Sequence, residues 1–118
     1  METIKLFDSE LKIMDIVWEY EPVSAKEISR IATDTIGWNK NTTYTIIRKL
    51  IEKNAIKRAE PNFICTSLLR KEDVQKAETQ NLIDKLYNGS KKDFFAAFIE
   101  EDISDDELVD LKKLIEKR

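Results

Sequence analysis

Apolar residues along the first half of the chain recur at helical spacing, and start and stop signals separate the runs. In "DSELKIMDIVWEY" Leu11, Met14, Val17 and Trp18 fall three and four residues apart, which predicts a first amphipathic helix with Asp8 and Ser9 as capping candidates. Pro22 ends it, because the residue before a proline is pushed out of the helical region. Ser24 with Glu27 three residues later is a capping-box pair opening a second helix, "VSAKEISRIAT", whose inner stripe is Ile28, Ile31 and Ala32. Thr35, Ile36 and Gly37 break the pattern, and Trp38 packs at the join. A third helix is expected from Asn39 to Lys53. Thr43, Ile46, Ile47, Leu50 and Ile51 line one side of it, and Asn41, Thr45, Arg48, Lys49 and Glu52 the other, flanked by Thr42 and Tyr44. Two short extended segments, "AIKRAE" and "NFICTSL", follow and are joined by the turn formers Glu60, Pro61 and Asn62. Three helices and then a two-stranded ribbon is the element order of a winged helix-turn-helix.

The pattern changes near Leu69, which divides the chain into a winged-helix DNA-binding domain over 1–69 and a helical dimerisation domain over 70–118. A fourth helix, "KEDVQKAETQNLIDKLYNGS", closes at Gly89 in the C-terminal cap position. Ser90 with Asp93 opens a fifth, "SKKDFFAAFIEE", and Ser104 with Glu107 a sixth, whose stripe is Leu108, Leu111, Leu114 and Ile115. The fold class is therefore mainly α. Phe94, Phe95, Phe98 and Ile99 make a stripe too wide for a short surface helix, and a segment this small cannot hide those rings alone. A two-fold partner would cover them, with Leu86, Leu108, Leu111 and Ile115 extending the interface.

Composition narrows the chemistry. The chain holds two Gly, two Pro, one Cys and no His, with 36% charged residues. Lack of imidazole removes the usual base for a Ser or Cys nucleophile and the Cys/His set of a zinc site, so no catalytic, cofactor or metal site is expected. Cys65 falls in the second strand of the ribbon and reads as a packing residue, with a redox switch as the alternative. A single cysteine, no apolar span and no signal-peptide pattern point to the cytoplasm, without membrane insertion.

Charge is distributed unevenly. The net charge is −3, yet residues 1–70 carry +1 and residues 71–118 carry −4. Residues 38–58 alone hold Lys40, Arg48, Lys49, Lys53, Lys57 and Arg58 against Glu52, a local +5. Such a patch on an acidic chain suits a phosphate-facing surface, since affinity follows the local field and counterion release. "NKNTTYT" begins the second helix of the helix-turn-helix, the position that reaches base edges in the major groove. Lys40, Asn41, Thr42, Tyr44, Thr45, Arg48, Lys49 and Arg58 are the candidate DNA contacts. The rival reading is a winged-helix protein–protein adaptor that docks through its acidic second half and touches no DNA.

"LKIMDIVWEYEPVSAKEIS", "GWNKNTTYTIIRKLIEKNAI" and "FIEEDISDDELVDLKKLIEK" resemble the BlaI/MecI/CopY family of bacterial repressors, of the penicillinase repressor type, over nearly the whole chain. The resemblance implies a homodimer that binds duplex operator DNA and controls β-lactamase or a related resistance gene. It places Asn41, Thr42, Tyr44 and Thr45 toward the operator and Arg48 or Lys49 near phosphates. Relatives often carry a basic residue where Tyr44 stands, so base preference there is expected to differ. It also implies induction by a membrane-bound sensor protease, or a protease that such a sensor activates, with Ala97–Phe98 as the matching bond. Relatives cut there carry Asn before the Phe, and Ala97 departs from that pattern. A copper-sensing cysteine tail is missing.

Overall fold

Four helices begin where a serine or asparagine marks their start. In the computed structural model, which describes residues 4–118, Ser24 caps α2 (Ala25–Thr35) by accepting the Glu27 N–H at 3.1 Å. Asn39 caps α3 (Lys40–Glu52) through the Thr42 N–H at 2.8 Å. Each such cap stabilises a helix start by about 1 kcal/mol. Helix α1 (Asp8–Tyr20) is the exception to the sequence expectation. Its cap is Phe7 rather than Asp8 or Ser9, and the Phe7 N–H donates to Glu10 Oε1 at 2.8 Å. The apolar side of α1 is also rotated from the expected stripe. Ile13, Met14, Ile16 and Val17 are buried, whereas Leu11 and Trp18 are only partly covered. Trp18 stays near the surface because its Nε1–H donates to the Leu69 carbonyl at 2.9 Å.

The strand region holds one more strand than the sequence predicts. Strand β1 (Val23–Ser24) pairs antiparallel with β3 (Ile64–Ser67), which pairs antiparallel with β2 (Ile56–Ala59), giving the order β1-β3-β2. Val23 sits opposite Cys65, and Cys65 opposite Arg58. Two residues, the second of them the helix cap Ser24, are too few to show a period of two, so β1 leaves no trace in the pattern. Ile13, Met14 and Val17 of α1, Ile28 and Ala32 of α2, Ile47 and Leu50 of α3, and Ile56 and Cys65 of the sheet close one core. A buried Ile or Leu of this kind contributes roughly 2 kcal/mol.

The chain divides into two compact units between Val74 and Gln75, inside α4 (Lys71–Leu86). In the second unit the Gly89 N–H reaches the Ile83 carbonyl at 3.1 Å, and Gly89 takes φ +81°, a turn that L side chains rarely adopt. Ser90 caps α5 (Lys91–Ile99), but its own N–H goes to the Tyr87 carbonyl, so only half of the expected box forms. Ser104 and Glu107 make the full reciprocal box at α6 (Asp105–Glu116). Phe94 packs edge-to-face on Tyr87, Phe95 and Phe98. Leu86, Phe95, Phe98, Ile99, Leu111, Leu114 and Ile115 remain exposed, and Leu108 is half-buried. Among the described residues no helix is long and apolar enough to cross a membrane.

One buried charge ties α1 to the end of α3. Glu10 is 1% exposed, and its Oε1 accepts from Lys53 Nζ at 2.7 Å as well as from Phe7 N–H. Lys53 also donates to the Lys5 carbonyl and lies over the Phe7 ring. Glu10 Oε2 has no hydrogen-bond partner among the described residues. Removing the lysine would leave an unpaired carboxylate in the core, whereas removing both charges would not. Lys53→Met is expected to destabilise the protein by about 2–4 kcal/mol, and Glu10→Leu in the same chain to restore most of that loss. Urea unfolding checks this; a single variant as stable as its parent would show that the pair carries no structural weight.

Candidate nucleic-acid interface

Helix α3 is held by one face and free on the other. Thr43, Ile46, Ile47 and Leu50 are buried, and Lys40, Asn41, Thr42, Thr45, Arg48 and Lys49 are exposed. The predicted site residues of this helix therefore do come together. Lys40, Asn41, Tyr44, Thr45 and Arg48 line an open hollow of about 480 Å³. Thr45 Oγ1 donates to the Asn41 carbonyl at 2.8 Å. That carbonyl can only accept, so the Thr45 hydroxyl spends its proton inside the helix and offers outward its lone pairs and its methyl group.

Tyr44 differs from the rest of the face, being half-buried. Lys40 Nζ lies 5.6 Å and Arg48 Cζ 5.9 Å from its ring centroid. Both cations gain from the negative ring face and stay displayed beside it. The Tyr44 ring also meets the Phe63 ring edge-on, with centroids 5.9 Å apart and planes at 87°.

Arg58 is placed differently from the other candidates. On β2, its Nε donates to Glu60 Oε1 while its guanidinium stacks on Phe63, Cζ to centroid 3.6 Å. The Arg58 hydrogen bond, with help from the Phe63 N–H, holds the Glu60 carboxyl below the usual carboxylate range. Two members of the sequence patch are thus tied to carboxylates. Lys53 faces Glu10 and leaves the patch entirely, while Arg58 remains exposed beside Glu60. A linear count of charge cannot register such pairings, because both acids lie outside residues 38–58. Phe63 and Glu60 were invisible as site residues for the same reason. The available signal was an aromatic following a Pro-Asn turn, beside a basic strand.

Cys65 is fully buried in the central strand, and burial pushes its thiol up to about 11, with the Arg58 charge opposing weakly. It stays protonated at neutral pH, which favours the packing reading over a reactive thiolate.

Three helices with a small antiparallel sheet, the third helix buried on one side and basic on the other, define a winged helix-turn-helix. The chain belongs to the penicillinase repressor family, which matches residues 6–117. It is 29% identical to the methicillin resistance regulatory protein MecI of Mammaliicoccus sciuri, over 99% of this chain and 98% of the relative. It is 25% identical to the penicillinase repressor of Staphylococcus aureus, over 95% and 91%. Among solved structures, the DNA binding domain of the repressor BlaI superposes with a TM-score of 0.56 at 25% identity, covering 62% of this chain and 93% of that domain. The monomeric form of Bacillus licheniformis BlaI in complex with the blaP half-operator gives 0.55, with the same identity and coverage.

The burial of Cys65 has a measurable outcome. Its folded value of about 11 exceeds the ordinary 9.0, so the unfolded chain loses its thiol proton first as pH rises. The stabilisation it brings is full below pH 9 and is lost as pH climbs toward 11. Iodoacetamide at pH 8 is expected to leave the native thiol unmodified and to alkylate it fully in denaturant. Rapid alkylation of the native protein would show instead an accessible thiolate.

Proposed function

We propose that the protein is a cytoplasmic, dimeric transcriptional repressor that binds a pseudo-palindromic operator in duplex DNA, one winged helix per half-site. The observation carrying this reading is the outer face of α3, where Lys40, Asn41, Thr42, Thr45, Arg48 and Lys49 stand free because the opposite face is locked in the core. The family and the neighbour solved on a half-operator support it. Asn41, Thr42, Tyr44 and Thr45 meet bases; Lys40, Arg48, Lys49 and the wing residue Arg58 meet phosphates. The regulated gene is a β-lactamase or related resistance gene, in keeping with the relatives' names.

Dimerisation is the reading that best accounts for the exposed apolar side chains of the second unit, Leu86, Phe95, Phe98, Ile99, Leu111 and Ile115, together with Phe94 and Leu108. Apolar area on this scale is unfavourable in water and is ordinarily covered by a partner. Induction would proceed by a cut between Ala97 and Phe98 in α5, made by a membrane-bound sensor protease or a protease under its control. Both residues are exposed, and a helix of nine residues opens readily to a protease. A cut there would separate the DNA-binding heads from most of the interface and remove the linkage that makes two-site binding tight.

Base reading and charge can be separated on α3. Thr45→Ala is expected to cost about 1–3 kcal/mol on the preferred operator and to leave non-specific binding nearly unchanged. Lys49→Ala should weaken both kinds of binding and lower the slope of log affinity against log salt by about one. Titration of operator and random duplexes at several salt concentrations measures both. Parental behaviour from both variants would mean that this face does not read DNA and would favour a protein-docking role.

The interface has its own test in sedimentation. Phe98→Asp places a charge in the proposed contact and is expected to shift the dimer toward monomer at micromolar concentration, as is a fragment ending at Ala97. A fully dimeric Phe98→Asp variant would place the interface elsewhere.

A further inference from the structure

We propose that Phe63 is a positioning residue for DNA binding, which couples the wing to the recognition helix and presents Arg58 as a preset phosphate contact. This rests on the DNA-binding reading and deepens it.

The backbone of Phe63 supplies the first observation. The turn after β2 takes Asn62 at φ +76° and then Phe63 at φ +52°. Asparagine tolerates the left-handed region, but a bulky aromatic there is an outlier that a relaxed turn would replace by Gly or Asn. Conformations of this kind persist only where the surrounding contacts hold them, and they cluster at functional sites.

The ring's neighbours show what it is needed for. One neighbour is the Arg58 guanidinium, stacked at 3.6 Å, and another is the Tyr44 ring, met edge-on at 5.9 Å. Tyr44 in turn carries Lys40 and Arg48 beside it. Two rings thus link three cations, one on the wing and two on α3. Ion pairing fixes Arg58 further, since Glu60 takes its Nε–H through Oε1 and receives the Phe63 N–H on Oε2 at 3.4 Å. Its Nη1 and Nη2 have no acceptor among the described residues. With its face on Phe63 and its inner edge on Glu60, the guanidinium keeps the outer pair of N–H groups for a bidentate phosphate contact. Phe63 is half-buried: one side of the ring packs against the core, and the rest joins this surface assembly.

Phosphate contacts are independent of sequence, so a random-sequence duplex pool is a sufficient probe for the full-length protein. Phe63→Asn, which suits the turn, and Phe63→Leu, which keeps apolar bulk without a ring face, should each weaken binding by about fivefold or more at low salt. Each should also flatten the salt slope by about one per bound protomer. Phe63→Tyr keeps the ring and should bind as the parent does. Arg58→Gln should reproduce most of the loss, and the double variant with Phe63→Leu should lose less than the product of the two single losses, because both changes remove the same wing contact. Circular dichroism confirms that each variant compared is folded. Parental binding by folded Phe63→Leu, or losses that multiply in the double variant, would overturn the proposal. A parent protein that binds no duplex even at low salt would instead sink the DNA-binding reading itself.

Discussion

The burial of one side of α3 is the constraint on which the rest of the first unit depends. Thr43, Ile47 and Leu50 have no solvent exposure, and Ile46 little, so the helix cannot roll about its axis without pulling several apolar side chains into water. At roughly 2 kcal/mol for each large side chain, a rolled helix would be populated only in trace amounts. The outward direction of Asn41, Thr45, Arg48 and Lys49 is therefore a by-product of the core. The Glu10–Lys53 pair pins the same helix at its far end, and its short reach limits sliding along the axis as well. Binding energy need not be spent on ordering a surface that folding has already ordered.

What the linear sequence reveals follows from how local each signal is. Helix starts at Ser24, Asn39, Ser90 and Ser104 were legible because a cap involves residues only three apart. The faces of α3 were legible because a helical period survives over thirteen residues. Strand β1 was not, since two residues carry no period, and its partner Ile64–Cys65 lies some forty positions away. Lys53 was misplaced in the basic patch for a similar reason: its partner, Glu10, is forty-three residues distant. The shift of the α1 stripe toward Ile13 and Ile16 reflects Trp18, whose indole N–H is drawn to the chain at Leu69. Pairings between segments, rather than propensities within them, were the hidden part of both the fold and the site.

The two units manage their apolar surface in different ways. In the first, the large aliphatic side chains close on one another, and the exposed exceptions are few, such as Phe7, Tyr20 and Leu68. In the second, Ile83 is buried while most of the large apolar residues of α5 and α6 are not. The Ser104–Glu107 capping box and the aromatic cluster around Phe94 set its local helical order. Local order of this kind is marginal for short helices in water. The acidic balance of residues 71–118 adds self-repulsion to that unit and keeps competing negative charge in a segment apart from the basic helix in sequence.

The placement of Trp18 has a consequence for how this molecule can be observed. Trp18 and Trp38 are the only two tryptophans in the chain, and both are half-buried in the first unit. Indole emission therefore follows the melting of the winged helix and is blind to the second unit, whose aromatic residues are Tyr87 and three phenylalanines. Far-ultraviolet dichroism weighs both units by their helices. The two signals, recorded on one sample, thus form a built-in pair of probes, and any gap between their transition midpoints measures directly how far the halves of the protein unfold independently.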